Sequence, residues 1–428
     1  MVIASTDASP APGISFIHML CGLAGMLAAA LLLLHEPMAL LTRWHPATLA
    51  AVHLFALGGL MPVMLGALYQ FVPVASGLSL PRRGGFDYLI LAGLMAGAAL
   101  LAMAFLGLYA DGFLWAGSLL AVSLATAAAR LLRALWTPAA SGVLVGLLRA
   151  NGLALVVTLI LGLLLVGVLA FGWPLPLVPL VDAHALWALA GWVGGLIVSV
   201  ATVVVPMFHV TDAYPARWAR VARLLPLPLL VGSLALWGGW PVVARIAWLL
   251  LALAGAVFGG LTLRRVLAAR RGERDAFHWG WCGVGVLCLA LAVAGGLATL
   301  LDDAHWGMVF GLLALAGLGG GTVSVMLYRI VPFLIWLHWQ RANKARVRLP
   351  LLHQIVPERD QRVQLMLELA AVLLLLGAIF QPGLTQPAAL LYAAAKFLQI
   401  VLLAQAMRDF RQRLALLRRL PPKVRAAP

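Results

Sequence analysis

The chain has 428 residues, of which 64% are hydrophobic and only 10% charged, with a formal net charge of +16. Apolar runs of about twenty residues recur along its length, as membrane-crossing helices require, which excludes a soluble domain. These runs do not alternate apolar with polar residues, which excludes an outer-membrane barrel. The positive charge is gathered in particular loops, where acidic lipid headgroups suffice as partners, so no nucleic acid is implied.

In chain order the sequence predicts twelve helices, near 14–34, 47–74, 87–109, 112–135, 148–173, 180–207, 223–240, 243–263, 279–301, 303–337, 365–382 and 386–407. The expected fold class is an all-α polytopic membrane protein, a single transmembrane domain over 1–428. The leading MVIASTDASPAPGISF has no basic n-region and no small-residue cleavage site, so the first apolar run reads as a retained helix, not a signal peptide. The first outer loop carries His35, Glu36 and His45. They read either as solvated loop residues or as a small copper or zinc site, since imidazole and carboxylate suit both metals.

The second predicted helix carries HLFALGGLMPVMLGALYQFVP, from His53 to Pro73. Related stretches run from His184 to Pro206 and from His305 to Pro332. Each opens on a histidine, passes through small and apolar residues and closes on Val-Pro. The first and third close on LYQFVP and LYRIVP, with Tyr69 and Tyr328 in matching places. The opening histidines are 131 and then 121 positions apart, a period that fits units of several helices. The chain therefore reads as three pseudo-symmetric four-helix units, near 14–135, 148–263 and 279–407, followed by a basic tail, 408–428.

The basic residues follow the even-numbered helices: Arg82 and Arg83, Arg130 and Arg133, Arg217 to Arg223, Arg264 to Arg274, Arg341 to Arg348, and the C-terminal tail from Arg408 to Arg425. The alternate loops carry little beyond Arg43 and Arg245 beside several acids. The positive-inside rule then puts both termini in the cytoplasm of a bacterial inner membrane. It also puts His53, His184 and His305 in the outer half of the bilayer.

A histidine in an apolar helix is costly unless satisfied, and suggests a functional site. The competing reading is a hydrogen bond to a carbonyl or water. Neutral imidazole offers one nitrogen to a metal while the other is held. Two such rings from facing helices can hold a haem iron with no open position, an arrangement that transfers electrons. His18, His209, His278, His338 and His353 fall on the inner side and read as interfacial, with Met207 and His209, or His18 and Met19, as the alternative soft copper ligands. Lys396 lies mid-helix without an obvious carboxylate at its depth. Glu368 is the only acid near the interior, which counts against a proton pump, and Arg329 reads as snorkelling to the inner surface. Cys21, Cys282 and Cys288 lie in apolar runs and are expected to be buried free thiols.

The His53 and His305 stretches, GGLMPVMLGALYQFVP and the run to MLYRIVPFLIW, resemble subunit I of haem-copper oxidases, especially the cbb-type oxidases and nitric oxide reductases. That family has twelve helices in three groups of four with both termini inside. The resemblance implies that His53 and His305 hold a low-spin haem b and that His184 stands where a copper ligand stands. It implies cytochrome c or quinol as the electron donor. The chain departs from the pattern in three ways. Asp303 replaces the high-spin haem ligand. The paired histidines of the seventh helix are missing from LPLPLLVGSLALWGGW. The propionate-binding arginines are missing from FQPGLTQPA. A degenerate binuclear centre is the consequence. The chain also looks like the NnrS proteins, twelve-helix haem and copper binders linked to nitric oxide stress. The competing function is a twelve-helix secondary transporter, of haem, copper or another small solute.

Overall fold

The computed structural model describes residues 10–80, 85–270, 274–301 and 303–421. It is 83% helix, with no strand among the described residues. Arg82, Arg83, Arg271, Lys423 and Arg425, within the basic clusters used above to orient the chain, lie outside the described residues, as does Asp302, one of the acids of the alternate loops.

Twelve helices are long and apolar enough to cross a membrane: α1 Gly13–His35, α2 Pro46–Ser76, α3 Gly85–Phe105, α4 Gly112–Leu135, α5 Val143–Phe171, α6 Leu177–His209, α7 Ala216–Trp237, α8 Pro241–Leu267, α9 Ala276–Leu300, α10 Ala304–Ala342, α11 Glu358–Ala378 and α12 Pro382–Arg419. Most match the predicted spans to within a few residues. Two differ. A break at residues 223–225 interrupts α7, so its first turns begin at Ala216. The stretch expected to be a tail from 408 continues α12 to Arg419. Phe410 explains the continuation: it is buried, packs edge-on to Phe16, and its carbonyl accepts a hydrogen bond from Trp339 Nε1 at 3.2 Å.

The three histidine-bearing spans form the inside of the bundle. In the most apolar windows of α2, α6 and α10, 67%, 56% and 67% of residues are buried, against 50% or less in every other span. The outer helices turn large apolar side chains outward, among them Val122, Leu153, Ile160, Leu253 and Val293. That surface suits hydrocarbon and not water. Glycine brings α1 against α2: a Cβ on Gly25 would collide with the Gly58 carbonyl, and one on Gly59 with Met26. Close approach is what small residues permit between membrane helices.

Each inner span also contains a π-helical segment, at Leu54–Leu60, Trp187–Gly194 and Leu313–Gly320. Each segment begins nineteen residues before the proline of its stretch: Leu54 before Pro73, Trp187 before Pro206, Leu313 before Pro332. The extra residue per turn shifts which side chains face inward, a distortion often found at functional sites. The three segments meet in the middle of the bundle, where a Cβ on Gly319 would lie 2.9 Å from Leu60 and 3.5 Å from Val193.

Candidate functional site

His53 closes the first straight turns of α2, directly before the π-helical segment. Its Nδ1–H donates to the Leu49 carbonyl at 2.7 Å. His184 lies on α6, and its Nδ1–H donates across to the Thr158 carbonyl of α5 at 3.1 Å. A carbonyl only accepts, so each bond fixes the neutral tautomer with the lone pair on Nε2. The two rings lie near each other, with centroids 6.4 Å apart and planes within 16°. Phe105, at the end of α3, also stacks on His53, with ring centroids 5.0 Å apart. Gly162 of α5 leaves room for the second ring, since a Cβ there would sit 3.1 Å from His184 Cε1. Both rings are half-buried.

His305 stands elsewhere. It lies in the first turn of α10, about half exposed, with Asp303 Oδ1 accepting from its backbone N–H at 2.8 Å and from Nδ1 at 2.7 Å. Its ring stacks on Phe380 at 5.5 Å, and among the described residues no ring contact joins it to His53. The reason is register. Counted back from the prolines, His53 is 20 residues away, His184 is 22 and His305 is 27. Seven more residues carry His305 about 10 Å further toward the helix end than His53. Asp303, outside the span, is the helix cap, and the backbone and ring hydrogen bonds from His305 hold its carboxyl below the usual carboxylate range.

Among the described residues, the loop between α1 and α2 assembles no metal cage. His35 is exposed, and His45 caps α2 by accepting from the Ala47 N–H at 3.2 Å. No group of three or more His, Cys, Asp or Glu able to hold a metal occurs among the described residues. Tyr69 is buried edge-on against His18, with ring centroids 5.4 Å apart. Tyr328 is buried too, and its hydroxyl has no hydrogen-bond partner. Cys282 and Cys288 are buried free thiols, while Cys21 is only half-buried.

The structure corrects the expectation that Lys396 lacks a carboxylate. Its Nζ donates to Glu368 Oε1 of α11 at 2.6 Å and to Ser324 Oγ of α10 at 2.7 Å. Gln364 Nε2 donates to Glu368 Oε2 at 2.8 Å, and Tyr392 Oη donates to Oε1 at 3.3 Å. Every group in this network is at most 4% exposed. The sequence hides the pairing because the partners sit 28 residues apart on different helices. Arg329 likewise does not snorkel freely: it is ion-paired with Asp275 at 2.6 Å and lies over the Phe277 ring at 4.4 Å.

No protein-family model and no curated protein matches the chain.

Proposed function

We propose that this is a redox protein of the membrane, of the haem-copper-oxidase-like class, whose centre is a haem held between His53 and His184. One observation carries the reading: two imidazoles from different spans have ring centroids 6.4 Å apart, each with Nδ1–H committed to a carbonyl and the Nε2 lone pair left for a metal. A metal ion bound at about 2.0–2.1 Å by one nitrogen of each ring would hold the ring centres roughly 6 Å apart. The residues fit haem better than a bare ion, because the macrocycle brings four equatorial nitrogens and asks the protein for two ligands only. Among the described residues no third His, Cys, Asp or Glu joins the two to form a metal-holding group. Half-burial of both rings leaves an open side for the porphyrin edge. When bound, such a haem accepts and returns single electrons. The chain's own residues do the positioning. The Leu49 and Thr158 carbonyls lock the tautomers, Phe105 packs against the His53 ring, and the lipid-facing apolar surface keeps water away. This reading moves His184 from a copper role to a haem role and leaves His305 outside the centre.

The three matched stretches, each with a π-helical segment nineteen residues before its proline, support three pseudo-symmetric units. The basic ends of the even-numbered helices support cytoplasmic termini in a bacterial inner membrane. In that orientation the haem lies near the outer face, within reach of a cytochrome c or quinol donor.

The test is the dithionite-reduced minus oxidised visible spectrum of the detergent-purified protein, in wild type and in His53→Ala, His184→Ala and His305→Ala. Sharp α and Soret bands are expected in wild type and in His305→Ala, with loss in the other two. Loss in His53→Ala and His305→Ala, with His184→Ala intact, would return the pair to His53 and His305. A haem-free wild type from haem-replete cells would remove the redox reading. The buried Lys396–Glu368 pair would then make a secondary transporter the leading function.

A further inference from the structure

At the opposite end of α6 a second pair of histidines meets. His209 closes α6 and His278 lies in the first turn of α9. They are 3% and 4% exposed. Their ring centroids are 5.8 Å apart with planes at 55°. The Nε2 atoms of both are buried and make no hydrogen bond, to each other or to anything else. His209 Nδ1–H donates to the Val205 carbonyl at 3.2 Å, so its Nε2 carries a bare lone pair. Burying two ring nitrogens without partners forfeits their hydrogen bonds to water, a loss that a metal ion bound by both would offset.

We propose that His209 and His278 bind a single Cu(I) ion through their Nε2 atoms. The separation of 5.8 Å matches the roughly 6 Å expected of two imidazoles sharing one ion at about 2.0 Å each. The donor set selects the metal. Zinc takes four ligands and calcium takes oxygens, and no third His, Cys, Asp or Glu among the described residues completes either set. Imidazole suits copper, and the d10 monovalent ion is content with two donors. Near-complete burial leaves no space for a porphyrin, unlike the half-buried pair at the other end of α6. The walls are aromatic: Phe277 stacks on His209 at 5.3 Å, and Trp279 meets His278 edge-on at 5.3 Å. Nearby, the Asp275 carboxylate caps the His278 N–H at 2.9 Å and is ion-paired with Arg329. Asp275 and Arg329 offset each other, while Arg274 adds a positive charge close to His278. It is independent of the haem reading, because no residue is shared.

The experiment is anaerobic Cu(I) titration of the full-length, detergent-purified protein against a chromogenic Cu(I) chelator, read with metal analysis after desalting. Wild type and Gly260→Ala, whose added methyl group meets nothing within 4 Å, are expected to retain an equivalent of Cu(I) that His209→Gln and His278→Gln both lose. The loss should exceed the roughly 10–100-fold drop in affinity that follows removal of a group merely supporting a ligand. Glutamine keeps much of the volume, and a native elution profile and circular dichroism show that each variant is folded. X-ray absorption of the loaded wild type should report two nitrogen neighbours and no sulfur. A wild type that retains no Cu(I), or variants that retain as much as wild type, would overturn the site.

Discussion

Lys396 is the most demanding residue in the chain. A primary amine buried among membrane helices is tolerable only while Glu368, Ser324 and the Tyr392 ring surround it, with Nζ 5.1 Å from that ring's centroid. Removing one member of a buried ion pair leaves an uncompensated charge and costs about 3–5 kcal/mol, whereas replacing both partners with neutral groups of similar volume is often close to neutral. Lys396→Met and Glu368→Gln should each lower the thermal midpoint of the purified protein substantially. The double variant should recover most of that loss, giving a large coupling in the double-mutant cycle. Additive losses would mean that the two charges are not stabilised by each other. Sequence reading found Lys396 because a lone charge in an apolar run is conspicuous. It assigned no partner because pairing depends on which helices pack together. The same holds for His209 and His278, which lie 69 positions apart in the chain and meet only in the folded bundle.

At the scale of the helix, the apolar runs made all twelve spans legible, because twenty apolar residues in a row have no other use than crossing a bilayer. The π-helical segments were not legible. A change from i+4 to i+5 bonding is decided by neighbours that crowd or free each turn, not by the residue pattern alone. That mattered for the candidate site: aligned on their histidines the three stretches suggest equivalent rings, but aligned on their prolines the rings fall at three heights, and only His53 and His184 come together. The seat of α2 depends on α1. Gly25→Ala would drive a methyl group into the Gly58 carbonyl, and overpacking of this kind costs typically about 1–3 kcal/mol. Gly260→Ala is the control, with nothing within 4 Å of its new methyl group. Gly25→Ala should lower thermal stability and weaken the haem spectrum, since the displaced segment begins next to His53. Gly260→Ala should do neither. Equal behaviour of the two variants would show that the α1–α2 contact does not hold the site.

For the whole molecule, the side of the membrane decides which partners each site can meet. With Cys21, Cys282 and Cys288 replaced by alanine, cysteines at Asp111, exposed between α3 and α4, and at Arg270, exposed after α8, report the two faces. A membrane-impermeant maleimide should label Asp111→Cys in intact cells and Arg270→Cys only after lysis. The reverse pattern would invert the bundle and place His53 and His184 on the cytoplasmic side, beyond the reach of an external electron donor. Inversion would leave the separation of the two histidine pairs untouched. His184 and His209 lie 25 residues apart on one helix, which puts them about 37 Å apart along the axis. That exceeds the hydrocarbon thickness of about 30 Å, so the two pairs lie at opposite ends of one span. No single ion or haem can serve both. A variant that empties one pair should therefore leave the other loaded, whichever way the protein faces.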